Sequence, residues 1–160
     1  MKLSLTSTSK MSPTNMKRSL TSFLFALTCI ASLAIAHEKK VAGPNGGRVL
    51  TVIEPHAEFF VTAERQVQIT FVDDNLQPIP PAGQTVIVTA GSRSAPTTLN
   101  FVRRGNVLLS DSALPTGNDF PTVVQIKTTP TAKTAVARFN LNMIVCSECQ
   151  NAEYACTCDH

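Results

Sequence analysis

From residue 47 to 142 the chain alternates short apolar or β-branched runs with clusters of turn-forming residues. The clearest run is Gln66–Val72, which places Val67, Ile69 and Phe71 on one face and Gln66, Gln68 and Thr70 on the other. That period of two is the mark of a half-buried strand. Asp73-Asp74-Asn75 ends it with turn chemistry. Similar runs occupy residues 49–53, 56–62, 84–90, 97–102, 106–110, 122–128 and 133–141. Arg103-Arg104-Gly105 reads as a hairpin turn between two of them. In the last run Ala135, Ala137 and Phe139 share one face, with Thr134, Val136 and Arg138 on the other.

Seven or eight strands with a turn signal roughly every ten residues predict an all-β fold, a small antiparallel sandwich of Ig-like or Greek-key type. No window holds a helical period over three turns. The prolines at 78, 80, 81, 96, 115, 121 and 130 are expected in loops or at strand ends, where a missing N–H costs least. Phe59, Phe71, Leu99, Phe101, Leu108, Val124, Ile126 and Phe139 are the expected core.

The first 36 residues follow a different pattern. Residues 1–15 are polar and rich in Ser and Thr, and Met16-Lys17-Arg18 then offers a second start. Residues 23–36 form an apolar run broken only by Thr28 and Ser32, ending in Ala34-Ile35-Ala36. A basic start, a short apolar stretch and an A-x-A end are the layout of a secretory signal peptide. The run is shorter than the roughly 20 residues of a bilayer span. Residues 1–36 are therefore read as a signal peptide cleaved after Ala36, with Met16 the better start. A buried N-terminal helix fits less well, since no amphipathic stripe is visible. A lipoprotein through Cys29 also fits less well, because Thr28 stands where a small residue is expected.

Composition sharpens this division. The 160 residues carry a formal net charge of +3, from 14 Lys+Arg against 11 Asp+Glu. Lys2, Lys10, Lys17 and Arg18 all precede residue 37, and no acid does. The remainder, ten basic against eleven acidic residues, is net −1. The basic balance belongs to the export segment and does not support a nucleic-acid partner. With 43% apolar residues the chain is not a disordered tail.

The strongest chemical signal is the C-terminal pattern Cys146-x2-Cys149-x6-Cys156-x-Cys158-x-His160. A C-x2-C turn lets two thiolates approach one metal, and a second close pair can complete a tetrahedral four-sulfur site. His160 could replace one sulfur. Thiolate-rich sites suit Zn(II) or Cu(I). The spacer of six is shorter than in a zinc ribbon. Two structural disulfides are the competing reading for an exported chain, and four cysteines allow three pairings. A thiol oxidoreductase is weaker, because such enzymes place the first Cys at a helix N-terminus after a strand, and here Gln150-Asn151-Ala152-Glu153 is too short to read as a helix.

Two further sets carry candidate ligands. Glu54, His56 and Glu58 would share a strand face and could bind a divalent cation, against a plain reading as a solvated face with Ala57, Phe59 and Val61 inward. After cleavage His37 would become N-terminal, where its amine and imidazole could chelate a metal together with His56; the plain reading is a frayed terminus. Gly43-Pro44-Asn45-Gly46-Gly47 lacks phosphate-loop spacing and reads as a turn that launches the first strand. No Ser-His-Asp arrangement or nucleophile elbow is present. In the tail, Tyr154 is the one possible anchor between Gln150 and Ala155.

Gly43-Pro44-Asn45-Gly46-Gly47-Arg48-Val49, followed by Glu54-Pro55-His56-Ala57-Glu58-Phe59-Phe60, resembles the opening of a group of small bacterial secreted β-domain proteins associated with heavy-metal efflux and periplasmic metal handling. Asp73-Asp74-Asn75-Leu76-Gln77-Pro78 is similar to a later turn of that group, with Leu76 in place of its glycine. The resemblance spans roughly residues 43–142 and implies periplasmic metal handling, without assigning the tail cysteines a role.

The expected organisation is thus a signal peptide (1–36), a flexible leader (37–46), a β-sandwich (47–143) and a Cys/His-rich tail (144–160). The expected protein is periplasmic or secreted and is not an enzyme. It binds or buffers Zn(II) or Cu(I) on Cys146, Cys149, Cys156 and Cys158, with His160 as an alternate. Its partners are the metal ion and components of an efflux system, with no membrane span in the mature form. The alternative is a secreted interaction module with a disulfide-stapled tail.

Overall fold

A computed structural model describes residues 40–158. Residues 1–36, expected as a signal peptide, and with them Cys29, lie outside the described residues, as do His37 and His160. The alternating runs form β1 (Arg48–Leu50), β2 (His56–Val61), β3 (Gln66–Val72), β4 (Pro78–Ile79), β5 (Thr85–Ser92), β6 (Ala95–Arg104), β7 (Val107–Ala113), β8 (Asp119–Lys127) and β9 (Ala135–Asn142). A single 3-10 turn follows at Glu153–Ala155. All but β4 overlap an expected run. β4 has two residues next to Pro80 and Pro81, too few to leave a period in the sequence.

The hydrogen-bonded path runs β1-β2-β3-β7-β6-β5-β8-β9, with β4 beside β3. Every pairing is antiparallel. β5, β6 and β7 follow one another as neighbours, while β3 returns beside β7 and β8 beside β5. Both returns are Greek-key steps. The expected sandwich would split these strands between two sheets. Here the path is unbroken, because β6 serves two partners in turn: residues 95–100 pair with β5 and residues 101–104 with β7.

The sheet curls until its two ends nearly meet, close to a barrel. Phe59 on β2 meets Phe139 on β9 edge to face, with ring centroids 5.3 Å apart. The Arg48 guanidinium on β1 lies 4.9 Å from the centroid of the same Phe139 ring. The 3-10 turn lies against both β1 and β9. Its Tyr154 and Ala155 are buried in the core, and the Tyr154 ring packs against Phe59 and Phe139 at 5.9 and 6.5 Å. Each such ring pair adds about 1 kcal/mol beyond the area it removes from water. The tail is therefore the seal between the two ends of the sheet.

Val67, Ile69 and Phe71 are fully buried, as their alternation requires, and Leu99, Leu108, Val124 and Ile126 join them. Phe101 and Phe139 are half-buried at the margin of the core. Phe101 lies where β6 changes partner, and Phe139 lies on the seam. Two prolines depart from expectation. Pro96 lies inside β6, and Pro121 lies inside β8 just beyond β5's last pair with that strand, Ala90↔Thr122. The pairing of β3 with β7 slips between Gln66 and Gln68. Ser110 fills the break: its hydroxyl accepts from the Val67 amide at 2.9 Å and donates to the Ser112 carbonyl at 2.7 Å.

Residues 40–46, expected as a flexible leader, are held in the fold. The Val49 amide donates to the Val41 carbonyl at 2.9 Å, and the Gly43 amide to the Gly47 carbonyl at 2.8 Å. The cause is Glu58. Its side chain is completely buried and accepts hydrogen bonds from the amides of Asn45 and Gly47, both 2.8 Å, and from Asn45 Nδ2 at 2.7 Å. A buried carboxylate needs such donors. The loop must lie directly on it, which leaves no room for a side chain at residue 43. A Cβ placed on Gly43 would stand 2.5 Å from Glu58 Cδ.

Candidate metal centre

After β9 the chain turns back on itself in a very small hairpin. Val145 bridges Ala152, and the Cys146 amide donates to the Asn151 carbonyl at 2.8 Å. The Gln150 amide donates to the Cys146 carbonyl at 3.0 Å, with Gln150 at a positive φ of 61°. Left-handed backbone at that position lets the chain reverse within the turn. Cys146 and Cys149 ride on its tip. The 3-10 turn, held in place by Tyr154, then brings Cys156 and Cys158 back toward the tip.

The result is a compact set of four thiols. The Sγ atoms of Cys146, Cys149, Cys156 and Cys158 all lie within 4.8 Å of one another. Cys149 Sγ is 3.6 Å from Cys156 Sγ, and Cys146 Sγ is 4.0 Å from Cys158 Sγ. A tetrahedral ion with metal–sulfur bonds of about 2.3 Å has an edge of about 3.8 Å between sulfurs. The two separations bracket that edge. All four cysteines are free thiols. Cys146 and Cys156 are buried, while Cys149 and Cys158 are half-exposed, so the cluster faces solvent on one side. Four cysteines arranged in this way can hold a metal ion. No other group of three or more His, Cys, Asp or Glu side chains among the described residues is so placed.

Backbone dipoles set the electrostatics. The amides of Cys149 and Glu148 point at the Cys146 sulfur and hold its thiol below the ordinary range, against the opposing effect of burial. The Asn151 amide, helped by the Cys156 thiol and the Thr157 amide, draws Cys149 down to about 7. Cys156 receives the Cys158 amide at 3.4 Å, yet burial and the neighbouring Cys146 and Cys149 sulfurs leave its thiol raised. Burial first, and then the same crowding of sulfurs, pushes Cys158 far above its ordinary value. Cys146 and Cys149 thus ionise more readily than an ordinary thiol, and Cys156 and Cys158 less readily.

Among the described residues, the other candidate ligands, Glu54, His56 and Glu58, are not brought into this site. His56 Nδ1 lies 2.8 Å from the Ile53 carbonyl oxygen and 3.3 Å from the exposed Glu54 carboxylate. Glu58, expected on a solvated face, is buried under residues 43–47 with both oxygens engaged. A polar cleft of about 350 Å³ lies between that loop, the end of β2 and the cysteine turn, lined by Asn45, Thr62, Arg65, Gln150, Asn151 and Tyr154 among others. Cysteine spacing gave no sign of the backbone amides at 148, 149, 151 and 157, since any residue but proline supplies one. In comparisons with known proteins the chain matches no family model, no curated protein and no solved structure.

Proposed function

We propose that the protein is an exported metal-binding protein that holds one thiophilic ion, Zn(II) or Cu(I), on Cys146, Cys149, Cys156 and Cys158. The observation that carries this reading is the mutual approach of all four sulfurs to within 4.8 Å. The ion is held by coordination, without turnover, in a site with four protein ligands. His160, two residues beyond Cys158, is a spare nitrogen donor. The two half-exposed sulfurs give an incoming chelator or partner thiol a path to the ion, which suits buffering and transfer. The signal-peptide layout of residues 1–36 supports a periplasmic or secreted setting. The resemblance over roughly residues 43–142 supports a role beside an efflux assembly that gives metal to the protein or takes it away.

The test is Co(II) and Zn(II) titration of the reduced protein. One equivalent of Co(II) should give the intense visible and near-ultraviolet bands of a tetrahedral thiolate site, and one equivalent of Zn(II) should abolish them. Serine at any one of the four cysteines should weaken the complex by at least tenfold. Four reactive thiols with no cobalt spectrum and no retained zinc would sink the proposal.

A further inference from the structure

The four sulfurs are arranged for a second chemistry. The contacts at 3.6 and 4.0 Å, Cys149 with Cys156 and Cys146 with Cys158, share no cysteine and together use all four. Each joins the C-x2-C limb to the C-x-C limb. We propose that the metal-free site is a redox site that a peroxide closes into two nested disulfides, Cys149–Cys156 inside Cys146–Cys158, and that bound metal and these disulfides exclude each other. The inference rests on the metal reading for that exclusion only; the pairing stands on the 3.6 and 4.0 Å contacts, and crossed disulfides, Cys146–Cys156 with Cys149–Cys158, would overturn it.

The chemistry balances with hydrogen peroxide as the oxidant. The half-exposed Cys149 sulfur attacks one peroxide oxygen, the O–O bond breaks, and water leaves once the departing oxygen is protonated. The sulfenic acid so formed is met by the Cys156 thiol. The S–S bond forms, the S–O bond breaks and a second water leaves. Two thiols lose two electrons and two protons, and one peroxide becomes two waters. Cys146 and Cys158 repeat the sequence with a second peroxide. Pairing within each limb would instead close loops of only a few residues, which restrain the chain little. Pairing across the limbs fastens the segment on both sides of Tyr154, so the seal of the sheet is kept in the oxidised form. A disulfide sulfur is neither anionic nor available to a metal, and a bound ion occupies the lone pairs that attack peroxide.

The experiment uses the purified protein, reduced, stripped by a chelator and freed of both reagents without air. Hydrogen peroxide is added with and without one equivalent of Zn(II), and zinc content is measured separately. Without zinc the mass should fall by about four hydrogens, one pair for each disulfide. Cleavage after Glu148 and Glu153 separates Cys146, Cys149 and the Cys156/Cys158 pair into three peptides, which nested disulfides would keep joined. The double variant C146S/C158S should still join its two remaining cysteines, while C146S/C156S should not at the same exposure. With zinc bound, thiol loss should slow at least tenfold. A peptide carrying Cys156 and Cys158 closed on itself, or equal disulfide yield in the two double variants, overturns the pairing. Undiminished oxidation of protein that retains zinc overturns the exclusion. Nested disulfides in a chain that never retains zinc leave the pairing intact and sink the metal reading instead.

Discussion

The phenolic oxygen of Tyr154 accepts a hydrogen bond of 3.1 Å from the backbone amide of Val61, a residue 93 positions earlier in the chain. Val61 ends β2, and Tyr154 lies in the segment that carries the thiols. Through this bond the open end of the sheet and the candidate metal site share one side chain.

Replacing that side chain should separate its two contributions. Tyr154→Phe keeps the ring against Phe59 and Phe139 and leaves the Val61 amide without its acceptor, at a cost of about 1–2 kcal/mol. Tyr154→Ala also removes the ring and should cost about 3–5 kcal/mol. Urea unfolding of the reduced protein, analysed at constant m-value, measures both. Equal losses in the two variants would show that the ring contributes nothing to the seal.

The same phenol makes stability sensitive to alkali. Burial, opposed by the Val61 amide and reinforced by the Glu58 charge, raises Tyr154 from 10.0 to about 12. The folded state therefore keeps a proton that the unfolded state loses first. Stability from this group is complete below pH 10 and is lost as pH rises through 12, by roughly 3 kcal/mol in all. The unfolding midpoint of wild type should fall to that of Tyr154→Phe and then below it across that interval. The chain has one Tyr and no Trp, so its ultraviolet titration reports this group alone among the aromatics.

Glu58 should prove structural and not a ligand. Glu58→Ala removes the acceptor from three donors and should destabilise the fold by about 2–4 kcal/mol. Amide hydrogen exchange at Asn45 and Gly47 should accelerate by at least tenfold, the mark of a released loop. Zinc stoichiometry should stay at one per chain. Loss of zinc from a variant still folded by circular dichroism would instead place Glu58 in the metal site.

Metal affinity should climb with pH. Protons compete with the ion for every sulfur, so acidification weakens binding and loading releases protons. Cys149, drawn to about 7, gives up its proton readily. Cys156 and Cys158 are held above the ordinary thiol value of 9.0 and supply the protons displaced by the ion. Competition with a chromogenic chelator between about pH 6 and 9 should show apparent affinity rising at least tenfold per pH unit. A flat profile would mean that thiolates are not the ligands.

The period-two runs exposed most of the fold because each strand needs an inward apolar row, as Val67, Ile69 and Phe71 show. Their order in space was less accessible. The double partnership of β6 leaves no local pattern, since residues 95–104 look like one strand whichever neighbour takes each half. The four cysteines were legible as a site because spacing alone limits how far apart they can lie. Glu58 was not. Its position in an alternating polar pattern resembles a wet face, and the groups that bury it are mostly main-chain amides. Tyr154 could be singled out as an anchor, but what it anchors to is 93 residues away in sequence.

One contact on the seam fixes the geography of the molecule. Lys40 Nζ donates to the Glu153 carbonyl at 3.1 Å, three residues before Cys156. The polypeptide thus enters the domain beside the place where it forms its thiol cluster. A tether, fusion partner or surface attachment joined ahead of residue 40 by a short linker would hold the sulfurs close to the point of attachment. One joined through the β6–β7 turn at Gly105 would hold the molecule by a loop that belongs to neither the seam nor the cluster.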